Sequence, residues 1–201
     1  MKNLSNMNKY KRLAPFYDKL MGNRLFRKAR QQAFSEINII HGETILLVGV
    51  GTGEDFPFLP DHAKVTGIDL SEHMLKIAAG KKNGRDITLH QMNAEEMVFP
   101  NQTFNVVVLN LILSVAETPG KVLERTIECL APGGTILIFD KFIDAHTNPN
   151  LIRKLFNTFT SAIGTDINRD FYQIKNKLPL EIMKEYKVLN GLYSIIVVRK
   201  K

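Results

Sequence analysis

The stretch that most limits how this chain can fold is ILLVGVGTGED, residues Ile45 to Asp55. An apolar run breaks into glycines at positions 49, 51 and 53, and two acids follow. A short apolar run closed by turn residues has the form of a buried strand. A strand that ends in a glycine loop turns backbone N–H groups toward a ligand. Strand-like runs recur: the first is Thr44–Val48, and Lys64–Ile68, Asp86–Gln91, Phe104–Asn110 and Thr135–Asp140 follow. Helical patterns lie between them. Ser71–Lys82 starts on Ser71 as its N-cap, and Thr118–Leu130 places Val122, Leu123, Ile127 and Leu130 on one face before Pro132-Gly133-Gly134 stops it. Strands alternating with helices predict an α/β fold with a doubly wound, mostly parallel sheet.

The ends of the chain read differently. Residues 1–41 have a helical pattern, with Tyr10, Leu13, Phe16, Tyr17 and Leu20 in an apolar stripe interrupted near Pro15. Beyond Asp140 the pattern predicts a helix around Asn150–Ile163, a polar loop, and a shorter helix over Asp170–Leu178. Two final runs, Glu181–Leu189 and Leu192–Arg199, are joined by Asn190-Gly191. Asn-Gly between apolar runs marks a hairpin, so the parallel sheet should end in two antiparallel strands, seven in all.

With 201 residues, 44% of them hydrophobic, the chain is expected to form one domain around one good core. Its single cysteine, Cys129, excludes a disulfide framework and falls among packing positions of a helix. The five histidines, His41, His62, His73, His90 and His146, have no metal-ligand spacing. No apolar run reaches the roughly 18 residues of a membrane span, and the first residues lack the apolar centre of a signal peptide. The expected location is the cytoplasm. The net charge of +7 divides unevenly: residues 1–41 carry +7, residues 42–146 carry −6, and residues 147–201 carry +6. Two basic flanks around an acidic middle are either ordinary solvated surface or a face for something anionic, such as a phosphate head group, a membrane surface or RNA.

Three ligands compete for the glycine loop. A phosphate-binding P-loop ends in Gly-Lys-Ser/Thr, which is absent. A dinucleotide loop is G-x-G-x-x-G, but Glu54 stands at the last glycine position. G-x-G-x-G remains, and it suits a smaller ligand with a carboxylate, held by the N–H groups of a helix start, and a ribose. Asp69 lies sixteen residues beyond Gly53 at the carboxyl end of the second strand run, where a carboxylate can accept both ribose hydroxyls. Asp69 could instead cap the next helix, although Ser71 can fill that role alone.

GVGTGED, GIDLSEHML, NAEEMVFPNQTFNVVV and LAPGGTILIFD occur in the order and spacing of class I S-adenosylmethionine-dependent methyltransferases, which the chain resembles over roughly residues 40–145. The predicted hairpin matches that family's ending. Within the family the chain is similar to the small-molecule branch of phosphatidylethanolamine and ubiquinone/menaquinone methyltransferases. YKRLAPFYDKLMG and GTDINRDF strengthen the first comparison. The resemblance implies S-adenosylmethionine as cofactor. Gly49, Gly51 and Gly53 would lie at its methionine part, Asp69 and Leu70 at the ribose, and Met74 against the adenine. Asn93 and Ala94 would lie at the adenine edge, with Asn93 equally readable as a turn residue. Asn110 and Leu111 would border the sulfonium, and Tyr17 and Asp18 would lie near the cofactor. Tyr17 and Asn110 are the catalytic candidates that follow. Leu47 departs from the pattern, because many relatives carry an acid there that organises the loop and the methionine ammonium. Without it, either Glu54 or Asp55 holds the loop or the cofactor binds weakly.

Methyl transfer from a sulfonium is an in-line displacement, so alignment and exclusion of water matter more than a dedicated base. An amine acceptor still has to lose a proton, for which Tyr10, Tyr17, Asp18 and Asp140 are candidates. The resemblance implies that residues 1–41 form a basic helical lid, residues 42–146 a cofactor core, and residues 147–201 the substrate-side helices and hairpin. Lys9, Lys11, Arg12, Arg24, Arg27, Lys28 and Arg30 are expected to face an anionic lipid surface. The acceptor expected first is the amine of a phospholipid such as phosphatidylethanolamine, and second a quinone-like or other soluble small molecule methylated on carbon, oxygen or sulfur. The fourth strand run leads into Leu-Ile-Leu and not a Pro-Pro-aromatic turn, which ranks nucleic acid low. A noncatalytic cofactor-binding partner protein is the reading of another class, suggested by Leu47.

Overall fold

The computed structural model describes residues 22–100, 103–143 and 169–201. The stripe from Tyr10 to Leu20, with Tyr17 and Asp18, and the helix expected around Asn150–Ile163 lie outside them.

Seven strands form one sheet: β1 (Thr44–Val48), β2 (Lys64–Asp69), β3 (Ile87–Gln91), β4 (Phe104–Asn110), β5 (Leu130–Asp140), β6 (Leu180–Val188) and β7 (Tyr193–Lys200). Their order across the sheet is β3-β2-β1-β4-β5-β7-β6. The first five run parallel, and β7 is inserted antiparallel between β5 and β6. Four α-helices complete the described fold: α1 (Arg24–Phe34), α2 (Glu72–Ala79), α3 (Pro119–Cys129) and α4 (Phe171–Lys175).

Both faces of the sheet are covered, so its central strands are apolar on consecutive residues and not on alternate ones. Ile45 and Leu47 pack on one face with Ala29, Ala33 and Phe34 of α1. Leu46 and Val48 pack on the other with Val122, Leu123 and Ile127 of α3. The register brings Val48 opposite Leu109 and Ile68, Asn110 opposite Phe139, and Asp140 opposite Ser194. The carboxyl ends of β1, β2, β4 and β5 therefore form one edge, and the antiparallel β7 begins at it.

Three local features differ from the sequence reading. The helix before β5 ends at Cys129, and Pro132-Gly133-Gly134 lies inside the strand. There it makes an irregularity where the register with β4 shifts between Phe104 and Val106. Gly134 is required because a Cβ would fall 2.9 Å from the Asn105 carbonyl oxygen. After the glycine loop, the chain makes only a 3-10 turn over Phe56–Phe58, which contains Pro57, so no long helix starts there. The hairpin loop uses Leu189 and Asn190 as well as Gly191 at positive φ, giving four residues between β6 and β7.

Glu36 fastens the end of α1 to the hairpin. Its carboxylate accepts hydrogen bonds from Lys184 and, at 2.7 Å, from the Tyr186 hydroxyl. Lys184 and then Tyr186 hold its carboxyl below the ordinary value of 4.5. A depressed carboxyl stabilises the fold above its unfolded value, and that contribution is lost as pH falls through the lower folded value. Glu36→Gln should therefore cost about 0.5–1 kcal/mol near neutral pH. The difference from wild type should close on acidification, as read from urea midpoints across pH.

Candidate active site

At the shared carboxyl edge, the loop after β1 doubles back over β2. The N–H groups of Gly49 and Val50 both donate to the Ile68 carbonyl at 2.9 Å. Gly49, Gly51 and Gly53 all take positive φ, the left-handed region that side chains disfavour. They serve different ends. A Cβ on Gly53 would lie 2.7 Å from the Phe56 ring, whereas one on Gly51 would meet nothing within 4 Å. The glycine at 53 closes the packing beneath the loop, and the one at 51 leaves the loop's outer face open.

Asp69 ends β2 beside this open face. Its Oδ2 accepts from Gly51 N–H at 2.8 Å and its Oδ1 from Ser71 N–H at 2.8 Å. Burial pushes its carboxyl up, and these backbone bonds oppose the shift. Asp69 thus clamps the loop to the start of α2, while Ser71 caps that helix through Met74 N–H. Met74 is buried yet belongs to neither main core cluster. Leu70 is half-buried, and its carbonyl accepts from Gln91 Nε2. Asn93 forms a turn, with Oδ1 accepting from Glu95 N–H at 3.1 Å, and Ala94 is buried. Leu111 follows β4 at φ 58°, an unusual conformation for a branched side chain, and its N–H donates to Phe139. Such outliers concentrate at functional sites.

Leu47 lies wholly in the apolar core. The acid of this region comes instead from the far end of the loop. Asp55 is 7% exposed, and its Oδ1 accepts from Arg30 Nε of α1 at 2.9 Å. Burial pushes the Asp55 carboxyl up, while Arg30 and then the Asn110 amide draw it down. Asn110 itself is 7% exposed, and neither its Nδ2 nor its Oδ1 completes a hydrogen bond. A buried polar group without a partner is costly, and this one lies at the edge where the loop opens. Glu54, the other acid, pairs with Lys81 at 2.6 Å at the surface of α2.

Next to these groups stands an aromatic wall of Phe26, Phe139 and Tyr193, with centroids 5.2–6.4 Å apart. Lys141 Nζ lies 5.4 Å from the centre of the Tyr193 ring. Burial first, then Asp140, pushes the Tyr193 hydroxyl up, and Arg30 opposes this. The oxygens of Asp140 accept from Ser114 N–H and Lys141 N–H. Arg169 of the NRDF segment braces the same β4–α3 loop by donating to the carbonyls of Leu113 and Ala116.

The structure therefore gathers Gly49, Gly51, Gly53, Asp69, Asn110 and Leu111 at one edge, and Met74, Asn93 and Ala94 around its β2–β3 side. Arg30 corrects the sequence reading. It was expected on the lipid-facing surface with Arg24, Arg27 and Lys28; those three are exposed, but Arg30 is 5% exposed. The signal was present, since Phe26, Ala29, Arg30, Ala33 and Phe34 fall on one face at helical spacing. Tyr193 carried no such sign.

A methyltransferase-domain family matches residues 46–138, the stretch holding the glycine loop, Asp69 and Asn110. The chain is 28% identical over 192 residues to the phosphatidylethanolamine N-methyltransferase of Cereibacter sphaeroides, covering 93% of each. It is 26% identical over 164 residues to the demethylmenaquinone methyltransferase of Listeria welshimeri, 75% of this chain and 66% of that one. Domain match, relatives and fold together support a class I S-adenosylmethionine-dependent methyltransferase. A solved S-adenosylmethionine-dependent methyltransferase of Thermotoga maritima shares the fold, with a TM-score of 0.73 at 16% identity over 96% of this chain and 99% of that one. The methyltransferase is thus an enzyme, and the reading as a noncatalytic partner falls.

The loop of this methyltransferase should tolerate no side chain at position 53. Gly53→Ala combines positive φ with the clash against the buried Phe56 ring and should destabilise by about 1–3 kcal/mol in urea unfolding.

Proposed function

We propose that this methyltransferase transfers the methyl group of S-adenosylmethionine to the amine of a membrane phospholipid such as phosphatidylethanolamine. The observation that carries the cofactor half is the open glycine loop, clamped by Asp69 and facing the unsatisfied amide of Asn110. Asp69 and Leu70 would hold the ribose, Met74 the adenine face, Asn93 and Ala94 its edge, and Gly49, Gly51 and Gly53 the methionine part. When bound, the cofactor supplies a methyl group already activated on a sulfonium. What remains for the protein is alignment and water exclusion. The apolar wall of half-buried Phe26 and buried Phe139 and Tyr193 would exclude water on the acceptor side. Asn110 and Leu111 border the reacting end, and Tyr17 stays the candidate for receiving the acceptor's proton. Asp140, whose oxygens accept backbone hydrogen bonds from Ser114 and Lys141 and keep lone pairs free, is a second candidate for that role.

The acceptor half rests on the relative from Cereibacter sphaeroides, whose similarity spans 93% of both chains and so includes the basic flanks. Arg24, Arg27 and Lys28 are exposed around Leu25, itself 68% exposed, which suits shallow contact with an anionic bilayer. Among the described residues, no helix is long and apolar enough to cross a membrane. The second reading is methylation of a quinone-like molecule, supported by the demethylmenaquinone methyltransferase match over a smaller share of both chains.

Asp69→Ala should weaken S-adenosylmethionine binding by about 1.5–3 kcal/mol, the scale of charge-assisted hydrogen bonds. Unchanged affinity in calorimetry would put the ribose elsewhere. The acceptor is tested by incubating the enzyme with methyl-labelled S-adenosylmethionine and anionic vesicles containing phosphatidylethanolamine or a demethylated quinone. Label should appear in the phospholipid head group. Arg24→Glu, Arg27→Glu and Lys28→Glu together should depress transfer to vesicles while leaving cofactor affinity intact. Label confined to the quinone would favour the second reading.

A further inference from the structure

Lys141 is the first residue beyond β5, and its side chain lies on the face of the sheet that α1 covers. Its ammonium stands 5.4 Å from the centre of the Tyr193 ring, and Tyr193 packs in one cluster with Phe139 and with Ala29 and Phe34 of α1. Strand pairing sets Asn110 beside Phe139, and Leu111 N–H donates to the Phe139 carbonyl at 2.9 Å. Lys141, two residues beyond Phe139, is therefore a close neighbour of the β4 end. Three other cations at this edge are engaged. Arg30 pairs with Asp55, Lys187 donates to the Phe142 carbonyl, and Arg169 donates to the carbonyls of Leu113 and Ala116. The Lys141 side chain is half-buried, yet among the described residues nothing accepts a hydrogen bond from its ammonium and no carboxylate lies within ion-pair distance. The face of an aromatic ring is a weak substitute for the water that burial removes. Burial draws the ammonium's pKa down, and Asp140 opposes the shift. A cation in that state is completed by an anion, and a lysine is a compact point charge suited to phosphate oxygens.

The approach to it is exposed. Phe26 meets Tyr193 edge-on at 5.2 Å, and the chain neighbours of those two rings, Leu25 and Leu192, are 68% and 59% exposed. The surface proposed to meet the bilayer thus adjoins the ring over which Lys141 stands. We infer that Lys141 is a specificity-determining residue that takes the phosphate ester of the acceptor, while the acceptor's amine lies at the Asn110–Leu111 end of the site. The inference rests on the phospholipid acceptor proposed above and deepens it. In an ethanolamine head group two carbons separate the amine from the phosphate ester. Both ends can be held at once only by groups that are close together, as the ends of β4 and β5 are. A quinone offers Lys141 no such anion.

The test follows methyl transfer from labelled S-adenosylmethionine to phosphatidylethanolamine in phosphatidylglycerol vesicles, and separately to soluble phosphoethanolamine. Lys141→Met and Lys141→Gln should each raise KM for phosphatidylethanolamine roughly tenfold or more, with the loss in KM and not in kcat. Affinity for S-adenosylhomocysteine and pelleting with the vesicles should not change. Lys141→Arg should recover most of the loss. A guanidinium keeps the charge but cannot take up a proton, so that recovery also excludes a role as base. Glycerophosphoethanolamine, the head group alone, should compete with phosphatidylethanolamine on the wild type and lose its potency on Lys141→Met. Transfer to phosphoethanolamine with the same dependence on Lys141 would keep the seat and assign it to a soluble ester. An unchanged KM in a wild type shown to methylate phosphatidylethanolamine would overturn the seat and leave the acceptor reading intact. So would a loss confined to kcat that Lys141→Arg does not recover, or one matched by lower S-adenosylhomocysteine affinity and an earlier thermal melt. A wild type that labels only a demethylated quinone would remove the acceptor reading and the seat with it.

Discussion

Two carboxylates, Asp55 and Asp140, are buried at the carboxyl edge of this sheet, and a third, Asp69, is half-buried there. A carboxylate withdrawn from water must be paired or the fold bears the cost of its desolvation. That constraint shapes everything around the site. Asp69 is satisfied by the N–H groups of Gly51 and Ser71, which fixes the glycine loop against the start of α2. Asp140 is satisfied by the N–H groups of Ser114 and Lys141, which fixes the loop after β4 against the end of β5. Asp55 is satisfied by Arg30, which fixes α1 against the loop after β1. Three connections that would otherwise be free to move are tied to the rigid sheet, and the space between them is the site.

The three pairings differ in kind. Asp69 and Asp140 each accept two backbone hydrogen bonds, one from a residue one or two positions along the chain and one from a distant loop, Gly51 eighteen and Ser114 twenty-six residues away. Asp55 instead depends on a side chain twenty-five residues away on another element. It is an ion pair whose two halves meet only after α1 has packed on the sheet through Ala29, Ala33 and Phe34. Its contribution to net stability is small, because the Coulombic gain is offset by desolvation of both ions. Its value lies in position: it places an acid beside Asn110 while β1 stays entirely apolar through Leu47. Loss of an acid from β1 therefore need not empty the site of negative charge. The negative charge at this edge comes from the loop, and α1 holds it there through Arg30.

Much of this fold was legible in the sequence because its elements are strongly periodic and bounded by turn residues. The five parallel strands, the Ser71 cap and the Asn190-Gly191 hairpin follow from local chemistry. The glycine loop and Asp69 were legible for the same reason, since spacing and residue type alone limit what such a loop can hold. Pro132-Gly133-Gly134 was misplaced because a helix stop and a strand irregularity use the same residues, and only pairing with β4 distinguishes them. A helix start was expected to supply the N–H groups of the glycine loop, whereas the chain there makes only the 3-10 turn that holds Pro57.

The sequence by itself determined the class of fold, the order of its elements and the loop that receives the ligand, because each depends on neighbours within a few residues. Only the tertiary structure decided that Arg30 is buried, that Asp55 is its partner, that Asn110 is left unsatisfied and that Tyr193 packs on Phe26 and Phe139. Each of those facts joins residues far apart in the chain, and burial is a property of the packed sheet and helices together. A charge on a helix looks solvated until the surface that covers it is known. Here that surface is the loop after β1, and it buries one arginine of a basic flank against Asp55.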